Sequence, residues 1–246
     1  MSILDDSVEI PRRAMTLFFV IDKSFSMEGS KIGAVNEAVE NVIPMLGEIS
    51  NSNADAEIKV AALEFSTDCS WLYSEPKPAV EFKWKDVCAE GCTSFGHACG
   101  ELNSKLSRDG FMKSASGSFA PVIILMSDGQ PTDLYARELD SLKRNKWFQA
   151  AIKIAIAIGD DADKVVLEQF TGNKEMVIAV HNIEALKQII RMLSVASSQI
   201  GSKSSSANNI TKQEQVALEI KDAVKDIDGA DTISQSTATE SFDDWN

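Results

Sequence analysis

Five short runs rich in β-branched and aromatic residues, at 16–21, 57–65, 122–126, 152–158 and 176–180, are separated by longer stretches in which apolar residues recur every three or four positions. That alternation leaves few folds open. A strand buried on both faces reads as a continuous apolar run, and parallel strands need a crossover long enough to hold a helix. The pattern therefore predicts an α/β fold: a doubly wound, mostly parallel six-stranded sheet with helices on both faces. The sixth strand is expected within 70–82, where Pro76 and Pro78 suit an antiparallel edge. Helices are predicted between the runs. The first carries Ile32, Val35, Val39, Val42 and Ile43 on one face and is expected to kink or end at Pro44. Later helices are expected near 96–106, 134–146, 162–170 and 183–198, the last two capped by Asp161 and Asn182.

Composition bounds the function. No apolar run approaches the roughly 20 residues that span a bilayer, and Asp5, Asp6 and Glu9 stand where an export signal would be basic, so a cytoplasmic location is expected. A net charge of −13 argues against a nucleic-acid surface. It suits solubility and cationic ligands. Four cysteines are too few for a disulfide framework in a chain of 246 residues. A domain is read over 14–200, preceded by a segment at 1–13. Beyond Gln199 the run Gly201-Ser202-Lys203-Ser204-Ser205-Ser206 has linker composition, and 201–246 is expected to be a flexible, acidic, Ser/Thr-rich tail with a short helix at 211–228.

The residues that carry chemistry stand at strand ends, where open α/β sheets collect ligands. The run Phe18-Phe19-Val20-Ile21 ends in Asp22-Lys23-Ser24-Phe25-Ser26, an Asp-x-Ser-x-Ser sequence that alternates three oxygen donors; Val122-Ile123-Ile124-Leu125-Met126 ends in Ser127-Asp128-Gly129. Each segment alone reads equally as a turn or cap. If the two strands are neighbours, however, Asp22 and Asp128 converge at one rim and repel unless a cation or proton lies between them. Between these segments, Thr93 follows a small-residue loop and can present a hydroxyl, while Asp133 reads as a helix cap.

Taken in order, the three segments resemble the von Willebrand factor A (VWA) family, whose metal-ion-dependent adhesion site (MIDAS) is built from Asp-x-Ser-x-Ser, a later Thr and a later Asp before Gly. The resemblance covers 14–200 and implies a metal site of Asp22, Ser24, Ser26, Thr93 and Asp128, with the serines and sometimes the threonine on the metal and the aspartates direct or through water. It also implies strand order 3-2-1-4-5-6. Within the family the chain resembles bacterial TerY-type proteins of tellurite-resistance and stress-response clusters, through Asp22-Lys23-Ser24, Ala34-Val35-Asn36-Glu37, Ser127 to Asp133 and Ile156 to Asp163. Cys92, where relatives usually have a second Gly, and the long acidic tail depart from that pattern.

Oxygen donors of this kind suit Mg²⁺, or Mn²⁺ or Ca²⁺. Two carboxylates only neutralise such an ion, so the expected function is metal-dependent binding of a protein partner that supplies an Asp or Glu. The resemblance points to a kinase or phosphatase encoded nearby as that partner, and to phosphorylation within 202–241. The rivals are a Mg²⁺-dependent phosphohydrolase with Asp22 as nucleophile, which would want a second Asp where Ser24 stands, and a scaffold with an empty site. Cys88, Cys92, His97 and Cys99 have no zinc-ligand spacing and read as small buried thiols with a bystander histidine, and His97 and His181 complete no catalytic triad.

Overall fold

A computed structural model describes residues 11–232 except 115, 129, 161 and 204–210. Its elements in chain order are β1 (Arg13–Asp22), a 3-10 turn (Phe25–Met27), α1 (Ser30–Ser52), β2 (Ala56–Phe65), β3 (Cys69–Trp71), β4 (Lys77–Pro78), α2 (Phe95–Lys105), β5 (Val122–Ser127), α3 (Ala136–Lys143), α4 (Lys146–Ala150), β6 (Ile152–Ile158), α5 (Lys164–Thr171), a second 3-10 turn (Lys174–Met176), β7 (Val177–Val180), α6 (Ile183–Gly201), α7 (Lys212–Val224) and β8 (Ala230–Thr232).

One sheet runs β3-β2-β1-β5-β6-β7-β8, with β4 also paired to β2. The pairs β1–β2, β1–β5, β5–β6 and β6–β7 are parallel; β3, β4 and β8 lie antiparallel at the two edges. The doubly wound fold and its strand order are thus as the sequence implied, but the described residues form eight strands rather than six. The 70–82 region splits into β3 and β4, and β8 comes from the expected tail.

Alternation along β1 divides the core. Met15, Leu17, Phe19 and Ile21 point into a layer filled by α1, α6 and α7, whereas Phe18 and Val20 point into the layer of α2, α3 and α5. Pro44 does not end α1, which continues to Ser52. It sits on the exposed face, where the carbonyl it leaves without a partner can be hydrated, so the helix tolerates it. The expected helix over 134–146 is divided into α3 and α4 at Asn145, whose side chain accepts from Trp147 N and Phe148 N and restarts the helix. Asp163 caps α5, in place of the expected Asp161, which lies outside the described residues; Asn182 caps α6 by accepting from Ala185 N.

The larger correction lies beyond Gln199. α6 runs through Gly201, whose absent Cβ would stand 3.1 Å from Val122 Cγ2, so glycine there permits close approach to the sheet rather than a flexible link. Lys212 then donates to the carbonyls of Gly201 at 2.7 Å and Lys203 at 2.6 Å, a cation on a helix C-terminus. Gln213 Oε1 accepts from Lys153 N at 2.8 Å and its Nε2 donates to Lys153 O at 3.0 Å, which extends the ladder of β6 where β7 has not yet begun. Val216, Ile220 and Val224 of α7 are buried, and β8 pairs with β7. Residues 212–232 therefore close one edge of the sheet. The segments 1–10 and 233–246 lie outside the described residues, as do most of the serines expected to be phosphorylated. No described helix is long and apolar enough to cross a membrane.

Candidate metal centre

The chain leaves β1 toward β2 on one side and reaches β5 on the other, so the ends of β1 and β5 flank the crevice where strand order reverses. Asp22 is the last residue of β1, and Asp128 follows the last residue of β5. Their strands are paired up to Ile21 and Met126, which brings the two carboxylates to one rim. Gly29, at φ +82, makes the turn from the 3-10 segment into α1 that a side chain would strain.

Both aspartates are buried, Asp22 at 0% and Asp128 at 2% exposure. Asp22 Oδ1 accepts from Ser24 N at 2.9 Å and Oδ2 from Ser127 Oγ at 2.6 Å. Ser24 Oγ and Ser26 Oγ lie 3.0 Å apart, and Ser26 Oγ donates to Asp128 Oδ1 at 2.7 Å. The other oxygen of Asp128 takes a 2.8 Å ion pair from Lys31 Nζ, in the first turn of α1. Burial pushes the Asp22 carboxyl above its usual range; the Ser127 hydroxyl and the Ser24 amide and hydroxyl pull it back, and the charge of Asp128 adds to the rise.

Thr93 arrives by backbone. Ser94 N donates to Ser66 O at 2.9 Å, and Thr132 donates to Thr93 O from its amide at 2.8 Å and from its hydroxyl at 3.1 Å, which ties the threonine loop to the segment after Asp128. Thr93 is itself buried. On the other flank Phe25 N donates to Gly91 O at 3.0 Å and Glu90 N to Lys23 O at 2.6 Å. Gly91 has φ +72, and a Cβ there would stand 2.6 Å from Thr67 Oγ1, so Gly91 rather than position 92 sets the shape of this loop. Four of the five expected ligands are thus linked through short hydrogen bonds at one strand-end rim, and the fifth is held beside them through its loop.

Asp133 does act as a cap, but across space: its two oxygens accept from Gly96 N and His97 N, each at 3.1 Å, at the start of α2, while α3 begins without a side-chain cap. Asn36, within the Ala34 to Glu37 segment, bonds both the amide and the carbonyl of Val87 at 2.9 Å and pins the chain that leads to Glu90. Two site residues were missed by sequence reasoning, Ser127 and Lys31. Ser127 had a local signal, since it precedes Asp128 at a strand end. Lys31 had none.

The donor set fits a hard divalent cation: carboxylate and hydroxyl oxygens, mutually within hydrogen-bond reach, at a buried rim with two like charges. Among the described residues no group of three or more His, Cys, Asp or Glu side chains is arranged to hold a metal by itself. Cys88 and Cys92 are exposed, against the expectation of buried thiols, and Cys99 is buried within α2. His181 Nδ1 lies 2.7 Å from Asp160 Oδ1 and its amide donates to Gly229 O at 2.8 Å, where β8 joins the sheet, so its role is structural.

No protein-family model matches the sequence, and no curated protein matches it. Solved structures do match in fold. A von Willebrand factor type A protein from Catenulispora acidiphila superposes with a TM-score of 0.57 at 17% identity, over 76% of this chain and 43% of that one. The ArnB paralog VWA2 from Sulfolobus acidocaldarius gives 0.54 at 19% identity, over 73% and 44%. Proximal thread matrix protein 1 from the mussel byssus, with a zinc-occupied MIDAS motif, gives 0.57 at 17% identity, over 76% and 48%. This chain spans less than half the length of each. At such identities the likeness is one of fold: the chain folds as VWA domains do.

Proposed function

We propose that this chain is a metal-dependent protein-binding module of the VWA family, in which Asp22, Ser24, Ser26, Thr93 and Asp128 hold one Mg²⁺, Mn²⁺ or Ca²⁺ and a partner's Asp or Glu completes the shell. The observation that carries this reading is the hydrogen-bonded link from Ser24 through Ser26 to Asp128, beside buried Asp22, at the strand-order switch. A bound divalent ion supplies Lewis acidity toward one further anionic oxygen. The protein's own residues orient that interaction. Ser24 N and Ser127 Oγ fix the Asp22 carboxylate, and Asp128 fixes the Ser26 hydroxyl.

Two features support docking at this rim rather than catalysis. Phe25, between the two serines, is 64% exposed, and Leu134, after the Asp128 loop, is 95% exposed, so large apolar side chains stand in water beside the site. Asp22 has no exposed surface and both its oxygens already accept hydrogen bonds, which is poor placement for a phosphoryl acceptor. A net charge of −13 repels an acidic partner generally, so a local cation is the feature that would make one docking point attractive. The finer reading, a TerY-type cytoplasmic protein of a stress-response system whose partner is a kinase or phosphatase and whose tail is phosphorylated, rests on the sequence resemblance.

Calorimetric titration with Mg²⁺ and Mn²⁺ tests the metal site. The wild type is expected to bind one ion and Asp128→Ala none, with an unchanged far-UV circular dichroism spectrum; equal affinity in the two proteins would sink the reading.

A further inference from the structure

We propose that Lys31 is a tethered competitor of the metal: its ammonium group occupies the cation position on Asp128 in the metal-free protein, and metal loading is an exchange in which Lys31 is displaced. This deepens the metal-site reading and rests on it. The contact is specific. Lys31 Nζ lies 2.8 Å from Asp128 Oδ2, while Asp128 Oδ1 takes the Ser26 hydroxyl at 2.7 Å, so the ammonium neutralises the carboxylate that closes the chain of metal donors. The Asp128 side chain is 0% exposed, and an unpaired charge at such depth is costly.

Local preference does not explain a lysine here. α1 has no acidic residue in its first turn, and a cation at that end opposes the helix dipole. The position is favourable only because Asp128 faces it. The neighbouring Lys23 behaves differently: its Nζ pairs with Glu90 at 2.7 Å and Glu64 at 3.6 Å, away from the two site aspartates. Lys31 is also free to leave. Its side chain is 17% exposed, and a long unbranched stem can move its head into water while the stem stays packed. A divalent ion and an ammonium group cannot both sit on one buried carboxylate without strong repulsion, so each excludes the other.

Two consequences follow from this exchange. The metal-free site is neutralised in part and the fold survives without metal. Monovalent cations, with no more charge than the tethered ammonium, gain nothing by displacing it, whereas a divalent ion does; the lysine sets a threshold that favours divalent ions and weakens their affinity.

The test is calorimetry with Mg²⁺ and Mn²⁺ on wild type, Lys31→Met, Lys31→Gln and Lys23→Met, alongside thermal melts in EDTA. Lys31→Met is expected to bind on the order of tenfold tighter than wild type, the size of one charge-assisted hydrogen bond, and to melt lower than wild type in EDTA. Lys31→Gln, which keeps a polar head without the charge, is expected to gain affinity likewise and serves if the methionine variant does not fold. Lys23→Met is expected to stay near wild type. Unchanged or weaker affinity in both Lys31 variants overturns the proposal while leaving the metal site intact, and so does an equal gain in Lys23→Met, which would reduce the effect to net charge. Absence of binding in every protein overturns the metal site itself.

Discussion

At the scale of single residues, local chemistry and environment separate cleanly. Asp22, Ser24, Ser26 and Asp128 could be named from the sequence because a metal site of this kind needs oxygen side chains at strand ends, and the spacing is local. Lys31 could not, since its partner lies 97 positions away and a lysine in a first helical turn reads as solvated. The cysteines show the same division. Cys88 and Cys92 are exposed, while Cys69 is half-buried and its thiol is pushed up to about 12, first by burial and then by Glu101, Asp68 and Asp133. Burial pushes the Cys99 thiol up as well. Thiolate is the reactive form, so a raised pKa suppresses reaction at any lower pH. Alkylation of the native protein at pH 8 is expected to modify Cys88 and Cys92 rapidly and Cys69 and Cys99 only after unfolding, with the Cys69 rate rising as pH approaches 12. Peptide mapping that finds Cys69 labelled as fast as Cys88 would contradict the structure.

At the scale of elements, the apolar runs located β1, β2, β5, β6 and β7 because strands buried on both faces have little freedom in composition. The segment beyond Gln199 was misread for the opposite reason: glycine and serine suit a linker and also suit a helix end that must approach a sheet closely. Gly201 against Val122 and the Gln213 amide on Lys153 are tertiary contacts that composition does not encode. α7 has a thin apolar stripe with a capping box of Thr211 and Glu214, and its stability comes from burying Val216, Ile220 and Val224. Ile220→Ala removes a side chain that is 1% exposed, and about 2–5 kcal/mol of stability is expected to be lost. Urea denaturation measures this; a loss near zero would return 212–232 to the status of a tail.

At the scale of the molecule, the two core layers on either side of the sheet do not depend on the rim. The site is itself held by its own hydrogen bonds and by the Lys31 pair. The secondary structure is therefore expected to persist in EDTA, and metal is expected to act by mass action on a folded protein. At 100 times the dissociation constant a ligand adds about 2.7 kcal/mol. For a chain of this size that is a rise in Tm of about 5–10 °C. Circular dichroism melts with EDTA and with Mg²⁺ check both points, and loss of helical signal in EDTA would show that the metal builds the fold rather than loading it.

The sequence by itself determined the doubly wound class, the central strands and the set of oxygen donors at their ends, because hydrophobic periodicity and short-range spacing are written along the chain. The tertiary structure decided which charges those donors meet: the Lys31 ammonium on Asp128, the Ser127 hydroxyl on Asp22 and the Asp133 carboxylate at the start of α2. It also decided that the stretch after Gln199 packs on the sheet. These contacts join residues far apart in sequence, and their energies come from burial and from pairing across space, which no single segment carries.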